Sequence, residues 1–228
     1  MRDKLRNEEY FDTYIEEELE DIQMFKQSLA EGEIEDDRTD SIKDEILLIK
    51  LGVIIAEYSR GDDLEVIKRD FEDMLDLFCE SWDGGIYEDN LCFESLAYLL
   101  GLDGTKLNKI KVKLMESDTY DYLIDFVLSG AESDHDGKLS FPRSYRKLAD
   151  CIIHNDREAL IKYLRGWYRG SRESSWYDTH KITDDALYYG YWCFEAGAVA
   201  KRLGFDDSDL WDEHYYPFDM VHFDAKNG

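Results

Sequence analysis

The chain is poor in the residues that break helices: Pro142 and Pro217 are the only prolines in 228 residues. Long helices can therefore run uninterrupted, and the Leu, Glu, Lys and Ala content favours them. The four cysteines, Cys79, Cys92, Cys151 and Cys193, stand singly with no C-x-x-C pair. That excludes the dense disulfide framework of small secreted domains and leaves reduced core thiols as the expectation. No stretch approaches the roughly 18 apolar residues of a membrane span. Met1-Arg2-Asp3-Lys4-Leu5-Arg6 leads into charged helix with no apolar segment behind it, so a cytoplasmic protein is expected. The chain also has no P-loop, no G-x-G-x-x-G and no G-x-S-x-G. Basic residues are scarce, 27 Lys and Arg against 53 Asp and Glu, for a net charge of −26.

What is abundant decides the class. Sixteen Tyr, 11 Phe and 5 Trp are far more aromatic residues than an acidic disordered segment carries, so the chain closes a core. Its charge spreads a negative potential over the surface. That repels nucleic acid and anionic membranes and steers a basic protein inward, if it does more than keep the chain soluble.

Periodicity predicts an all-α protein, a helical array of about nine or ten helices. Phe11, Ile15, Ile22, Phe25 and Leu29 form one stripe of a long first helix whose other face carries Glu16, Glu17, Glu18, Glu20 and Asp21. An acidic connector, 32–40, precedes a very apolar helix over 43–58. Gly61 and Asp62 end it and cap a helix running to about Trp82. Further helices are expected over 91–100, 105–115, 120–128, 145–153, 157–168 and 183–203, the last capped by Gly204. The stretch 129–142, with Gly130, Gly137 and Pro142, reads as a linker between helical domains over 1–128 and 143–228, packed as one unit.

The two halves share spaced fragments. Ile67-Lys68 returns as Ile161-Lys162 at an offset of 94, Cys92-Phe93-Glu94 as Cys193-Phe194-Glu195 at 101, and Leu100-Gly101-Leu102-Asp103 as Leu203-Gly204-Phe205-Asp206 at 103. Preserved order with small drift is expected of an internally duplicated helical unit.

Motifs for chemistry are weak. Glu132, Asp134, Asp136, Gly137 and Leu139 match the start of a calcium loop, but Arg143 stands where the bidentate Glu belongs, so the segment reads as an acidic linker. His135, His154, His180, His214 and His222 never fall at i, i+4 on a helix, and the spacing of His214, Asp219 and His222 is not diagnostic of a metal. No metal or cofactor is expected. Glu94 and Glu195 lie in apolar stretches. Each is a general-acid candidate if buried, yet a structural hydrogen-bond or ion-pair role, with Arg146, Arg165 or Arg202 as counter-charge, explains them better.

Charge placement is more informative. Residues 1–40 hold 15 acids against 5 bases, 138–172 nine bases against three acids, and 205–228 seven acids against one base. The basic stretch either faces the acidic segments internally or leaves a local positive stripe. Its interleaved Trp167, Tyr168 and Trp176 make nucleic-acid binding conceivable, against the overall field.

The C-terminal residues Tyr188, Tyr191-Trp192-Cys193-Phe194-Glu195-Ala196, Ala198, Leu203-Gly204-Phe205-Asp206-Asp207, Leu210 and Tyr215-Tyr216-Pro217-Phe218-Asp219 resemble the C-terminal domain of the PoNi immunity proteins. Residues 2–12, with Tyr10-Phe11-Asp12, are similar to that family's N-terminal helical domain. The resemblance implies a protein made beside a polymorphic DNase toxin of the PoNe type, delivered by a secretion system in bacterial competition, which binds that toxin and protects the producer. It implies no enzymatic activity. Tyr191, Trp192, Phe194, Glu195, Leu203, Gly204, Tyr216 and Pro217 are its structural motif.

A DNase presents a basic cleft to phosphates, so an acidic protein in that cleft competes with DNA. The expected contacts are Asp206, Asp207, Asp209, Asp212, Glu213 and Asp219 with Tyr215, while Trp211, Tyr216 and Pro217 read as packing. Glu16, Glu17 and Glu20 form an alternative face. An acidic helical adaptor or chaperone for another basic client is the second reading, and an enzyme using Glu94 or Glu195 with a nearby histidine the third.

Overall fold

The computed structural model describes residues 1–83, 85–116, 118, 120–130, 137–183 and 186–225. Among them are ten helices of seven or more residues and a final four-residue one, with no strand: the all-α expectation holds. In chain order they are α1 Glu8–Ala30, α2 Thr39–Arg60, α3 Leu64–Glu72, α4 Leu75–Ser81, α5 Tyr87–Leu99, α6 Gly104–Leu114, α7 Tyr122–Ser129, α8 Pro142–His154, α9 Arg157–Gly170, α10 Phe194–Leu203 and α11 Phe218–Val221.

Short polar residues start many of these helices by accepting from the first free backbone N–H groups. Asn7 caps α1, Asp103 α6, Asp121 α7 and Asp156 α9. Asp63 caps α3, not Asp62, whose carboxylate accepts from the Arg60 guanidinium. The single helix expected from there to Trp82 is two. The Met74 N–H bonds the Phe71 carbonyl, a tight i→i−3 turn that ends α3.

The helix expected over 183–203 is also corrected. Among the described residues of that stretch, only 194–203 is α-helical. Gly190 stands at φ 117°, outside any right-handed helix, and the residues before it bond to distant partners.

The chain forms two compact units. Unit 1 comprises 1–83 and 178–190, and unit 2 comprises 84–177 and 191–228. Compactness thus divides the chain at places other than the linker expected over 129–142, because α5 and α7 bury their apolar faces with α10.

In unit 1, α1 lays Phe11, Tyr14, Ile15 and Ile22 on α2, which is buried through most of 46–59. Gly52 permits the close approach, since a Cβ there would lie 2.6 Å from the Tyr14 hydroxyl. Residues 178–190 complete the unit: the Ser59 hydroxyl donates to the Tyr189 carbonyl at 2.9 Å, and the Tyr10 hydroxyl accepts from the Tyr188 N–H at 2.9 Å.

In unit 2, α5 and α10 lie at the centre, with α7, α8, α9 and α11 against α10 and α6 against α5 and α7. Both central helices end at left-handed glycines, Gly101 and Gly204. Their glutamates are not at equivalent points. Glu94 stands seven residues before its glycine and Glu195 nine before its own, a difference of about half a turn.

Candidate functional site

The acidic residues nominated at the C-terminus differ sharply in what they touch. Asp207 is withdrawn from the surface at 4% exposure. Its carboxylate accepts from the Tyr216 hydroxyl at 2.7 Å and lies 2.9 Å from His222 Nε2. Asp209 is paired with Arg157, whose Nε also donates to the Asp206 carbonyl at 2.6 Å. Glu213 takes Arg165 at 3.1 Å. The Asp206 carboxylate accepts from the Ser208 N–H, and hydrogen bonding from the Ser208 hydroxyl and then from that N–H holds its pKa below the ordinary value. Asp212 and Asp219 are exposed, as is Trp211, so the packing role expected of Trp211 is corrected: it is 69% exposed. Tyr216 and Pro217 are buried as expected.

Tyr215 is half-buried at φ 68°, a strained position for a non-glycine residue. Its carbonyl accepts from the Cys193 N–H at 2.8 Å, and its ring stacks on Tyr168 at 5.2 Å. Trp167 stacks on Trp176 at 5.1 Å and Tyr168 on Tyr177 at 4.5 Å. The aromatic residues that suggested base stacking are thus stacked on one another.

The outer face of α1 is different. Glu16, Glu17 and Glu20 are exposed, and none has an ion-pair or hydrogen-bond partner among the described residues. Glu16 and Glu20 repel at i, i+4, as do Glu17 and Asp21, each pair costing about 0.2–0.5 kcal/mol. Half-buried Glu18 has its pKa raised, first by burial and then by Asp21, Glu17 and Glu45. The molecule keeps this repulsion uncompensated.

The basic stretch divides its work. Arg157 and Arg165 hold the C-terminal loop, as one of the two expected arrangements requires. Arg143, Arg146 and Lys147 on α8, with Lys162 and Arg169 on α9 and Arg172 just after it, are exposed and have no ion-pair partner among the described residues. Both arrangements therefore coexist.

With this geometry in place, comparison with known families gives two matches. Residues 2–112 match the model described as PoNe immunity protein (PoNi), N-terminal, and residues 119–220 match PoNe immunity proteins (PoNi), C-terminal. The chain belongs to the PoNi family. Membership implies an immunity protein directed at PoNe nuclease toxins. No curated protein and no solved structure matches the chain.

Several of the C-terminal residues that carry the PoNi resemblance lie in the centre of unit 2. Tyr191, Phe194 and Glu195 are buried, Trp192 and Leu203 are half-buried, and Gly204 makes the left-handed turn after α10. Glu195 accepts from the Tyr163 hydroxyl at 2.8 Å, and burial raises its pKa despite that bond. Glu94 is fully buried, and neither carboxylate oxygen has a hydrogen-bond partner among the described residues. Burial, then Asp121 and Asp125, push its pKa well above the ordinary carboxyl value.

The counter-charges proposed for these two acids are corrected. Arg165 goes to Glu213, Arg146 is exposed, and Arg202 lies 3.8 Å over the Tyr98 ring while donating to the Val127 and Leu128 carbonyls. Glu94 keeps only a long-range attraction to Arg202. No group of three or more His, Cys, Asp or Glu among the described residues is disposed to hold a metal. The calcium-like segment falls largely on 131–136, outside the described residues.

A buried network in this unit escaped sequence reading. The Tyr87 hydroxyl donates to Asp121 at 3.0 Å, and Asp125, itself 1% exposed, takes the Tyr120 hydroxyl at 2.6 Å and Lys111 at 2.8 Å. The sequence signal was Asp121 and Asp125 flanking an apolar helix start, legible as a cap but not as an ion pair.

Proposed function

We propose that this chain protects its producer in the cytoplasm by binding the nuclease domain of a cognate toxin, its acidic surface occupying a basic cleft that otherwise takes DNA. One observation carries the choice of surface: Glu16, Glu17 and Glu20 on α1 are exposed and unpaired among the described residues, while most of the nominated C-terminal acids are engaged within the molecule. An unpaired negative face is attracted at long range to a basic cleft, and its internal repulsion is relieved on docking. Glu16, Glu17 and Glu20 are therefore the primary contact acids, with Asp212 and Asp219 as secondary candidates.

The test mixes the purified chain with the catalytic domain of the toxin encoded beside it and follows degradation of duplex DNA. Cleavage stops at equimolar protein on this reading. Undiminished cleavage would leave the adaptor or chaperone reading standing instead.

A further inference from the structure

The unpaired cations of the α8–α9 hairpin are out of keeping with the rest of the molecule. A chain of net charge −26 has carboxylates to spare, and Arg157 and Arg165 have found theirs. Arg143, Arg146, Lys147, Lys162, Arg169 and Arg172 have not. All but Arg172, which follows α9, stand on the helix faces turned from the core, since α8 buries Tyr145, Leu148, Ala149, Cys151 and Ile152, and α9 buries Leu160, Ile161, Tyr163 and Leu164.

The start of α8 sharpens the point. Its first turn holds no acid, and Phe141 offers no side-chain cap, so Arg143 adds positive charge to the positive end of the helix. Phe141 at 46% exposure and Ile153 at 51% put apolar surface beside these cations. Charge flanking exposed apolar groups is the composition of a protein interface.

We propose that the outer face of the α8–α9 hairpin is a second docking surface, receiving a carboxylate-bearing patch on the same net-basic nuclease. The inference rests on the functional reading above, and charge complementarity selects the occupant. Any net-anionic partner, whether nucleic acid or a second copy of this chain, is repelled by the field of the whole protein. A net-basic protein is drawn in by that field, and a local patch of reversed sign fixes the register in which it seats. Four of the six cations are arginine, whose planar fork pairs with a carboxylate in two parallel bonds.

The test turns on the sign of an effect. R146E/K147E and R169E/R172E each make the chain four charges more negative at exposed positions. If the hairpin faces solvent in the complex, the added charge strengthens attraction to a basic toxin, and affinity stays constant or rises. If it docks on carboxylates, affinity for the toxin's nuclease domain at 0.15 M salt falls by about tenfold or more, and DNA protection is lost in parallel. The charge-neutral R146Q/K147Q loses affinity to a smaller extent, and circular dichroism checks that each variant is folded.

Unchanged or tighter binding by both reversal variants overturns the inference and leaves the functional reading intact. Failure of the wild type to bind the nuclease overturns both. Retardation of a duplex DNA probe by the wild type, abolished in the reversal variants, reassigns the face to nucleic acid and equally overturns it.

Discussion

The hydroxyl of Tyr188 donates a hydrogen bond to the carboxylate of Asp3, across 185 positions of sequence. Both groups are buried, and the other Asp3 oxygen accepts from the Leu5 and Arg6 N–H groups at 2.7 and 2.8 Å. Tyr188→Phe leaves that carboxylate oxygen buried without its donor, at a cost of about 1–3 kcal/mol. Chemical denaturation should show the loss with an unchanged denaturant slope. An unaltered midpoint would mean that the bond contributes nothing.

The same contact bears on what can fold alone. The N-terminal family segment, 2–112, includes all of 1–83 but its first residue and lacks 178–190, which belong to the same compact unit. Expressed by itself it exposes the faces of Phe11 and Tyr14, which lie against Tyr188 and Tyr189 at centroid distances of 6.1 and 6.2 Å. It is expected to be unfolded or aggregated. Cooperative thermal unfolding of that fragment with native-like near-ultraviolet dichroism would contradict this.

Helix periods and caps made most of the fold legible in the sequence, because both are local: the Phe11-Ile15-Ile22 stripe and the glycine after α10 need no distant partner. The failures were non-local. Residues 186–193 look helical by composition, but Tyr188 is claimed by Asp3 and Tyr10, and Gly190 turns the chain. The internal pairing of the nominated C-terminal acids was illegible for the same reason. Nothing in the spacing of Asp207 shows that Tyr216 and His222 fold back onto it, or that Arg157 and Arg165 neutralise Asp209 and Glu213. The strength of an acidic patch depends on its partners, and partners here lie about 50 positions away.

Stability should fall as pH rises through neutrality. Burial, then Asp70 and Asp62, raise the Glu57 carboxyl from an ordinary value near 4.5 to about 7, and Asp89 is raised to about 6 by burial and then Glu88. Between those values and the ordinary ones the folded chain holds protons that the unfolded chain has released. The associated stability is present in full below pH 4.5 and is lost as pH climbs through about 7. Allowing for the part of the Glu57 carboxyl that water reaches, its share is about 2 kcal/mol. Glu57→Gln is therefore expected to raise the melting temperature at pH 8 by about 4–8 °C, with little change at pH 4.5. An equal shift at both values would remove ionisation as the cause.

The two acidic faces respond to substitution in opposite ways. Asp207 is buried and bonded to Tyr216 and His222, so Asp207→Ala orphans the Tyr216 hydroxyl inside unit 2 and costs about 1–3 kcal/mol of stability. Once folded, that variant still binds the toxin. Glu16→Lys/Glu20→Lys removes repulsion on α1, leaving stability unchanged or slightly raised, while it slows association with a basic nuclease and flattens the dependence of the on-rate on salt. Stopped-flow association over a series of salt concentrations, with melting curves on the same samples, separates the two. If the Asp207 variant loses affinity in proportion to its charge while the α1 variant binds at the wild-type rate, the contact face lies at the C-terminus and the assignment to α1 is wrong.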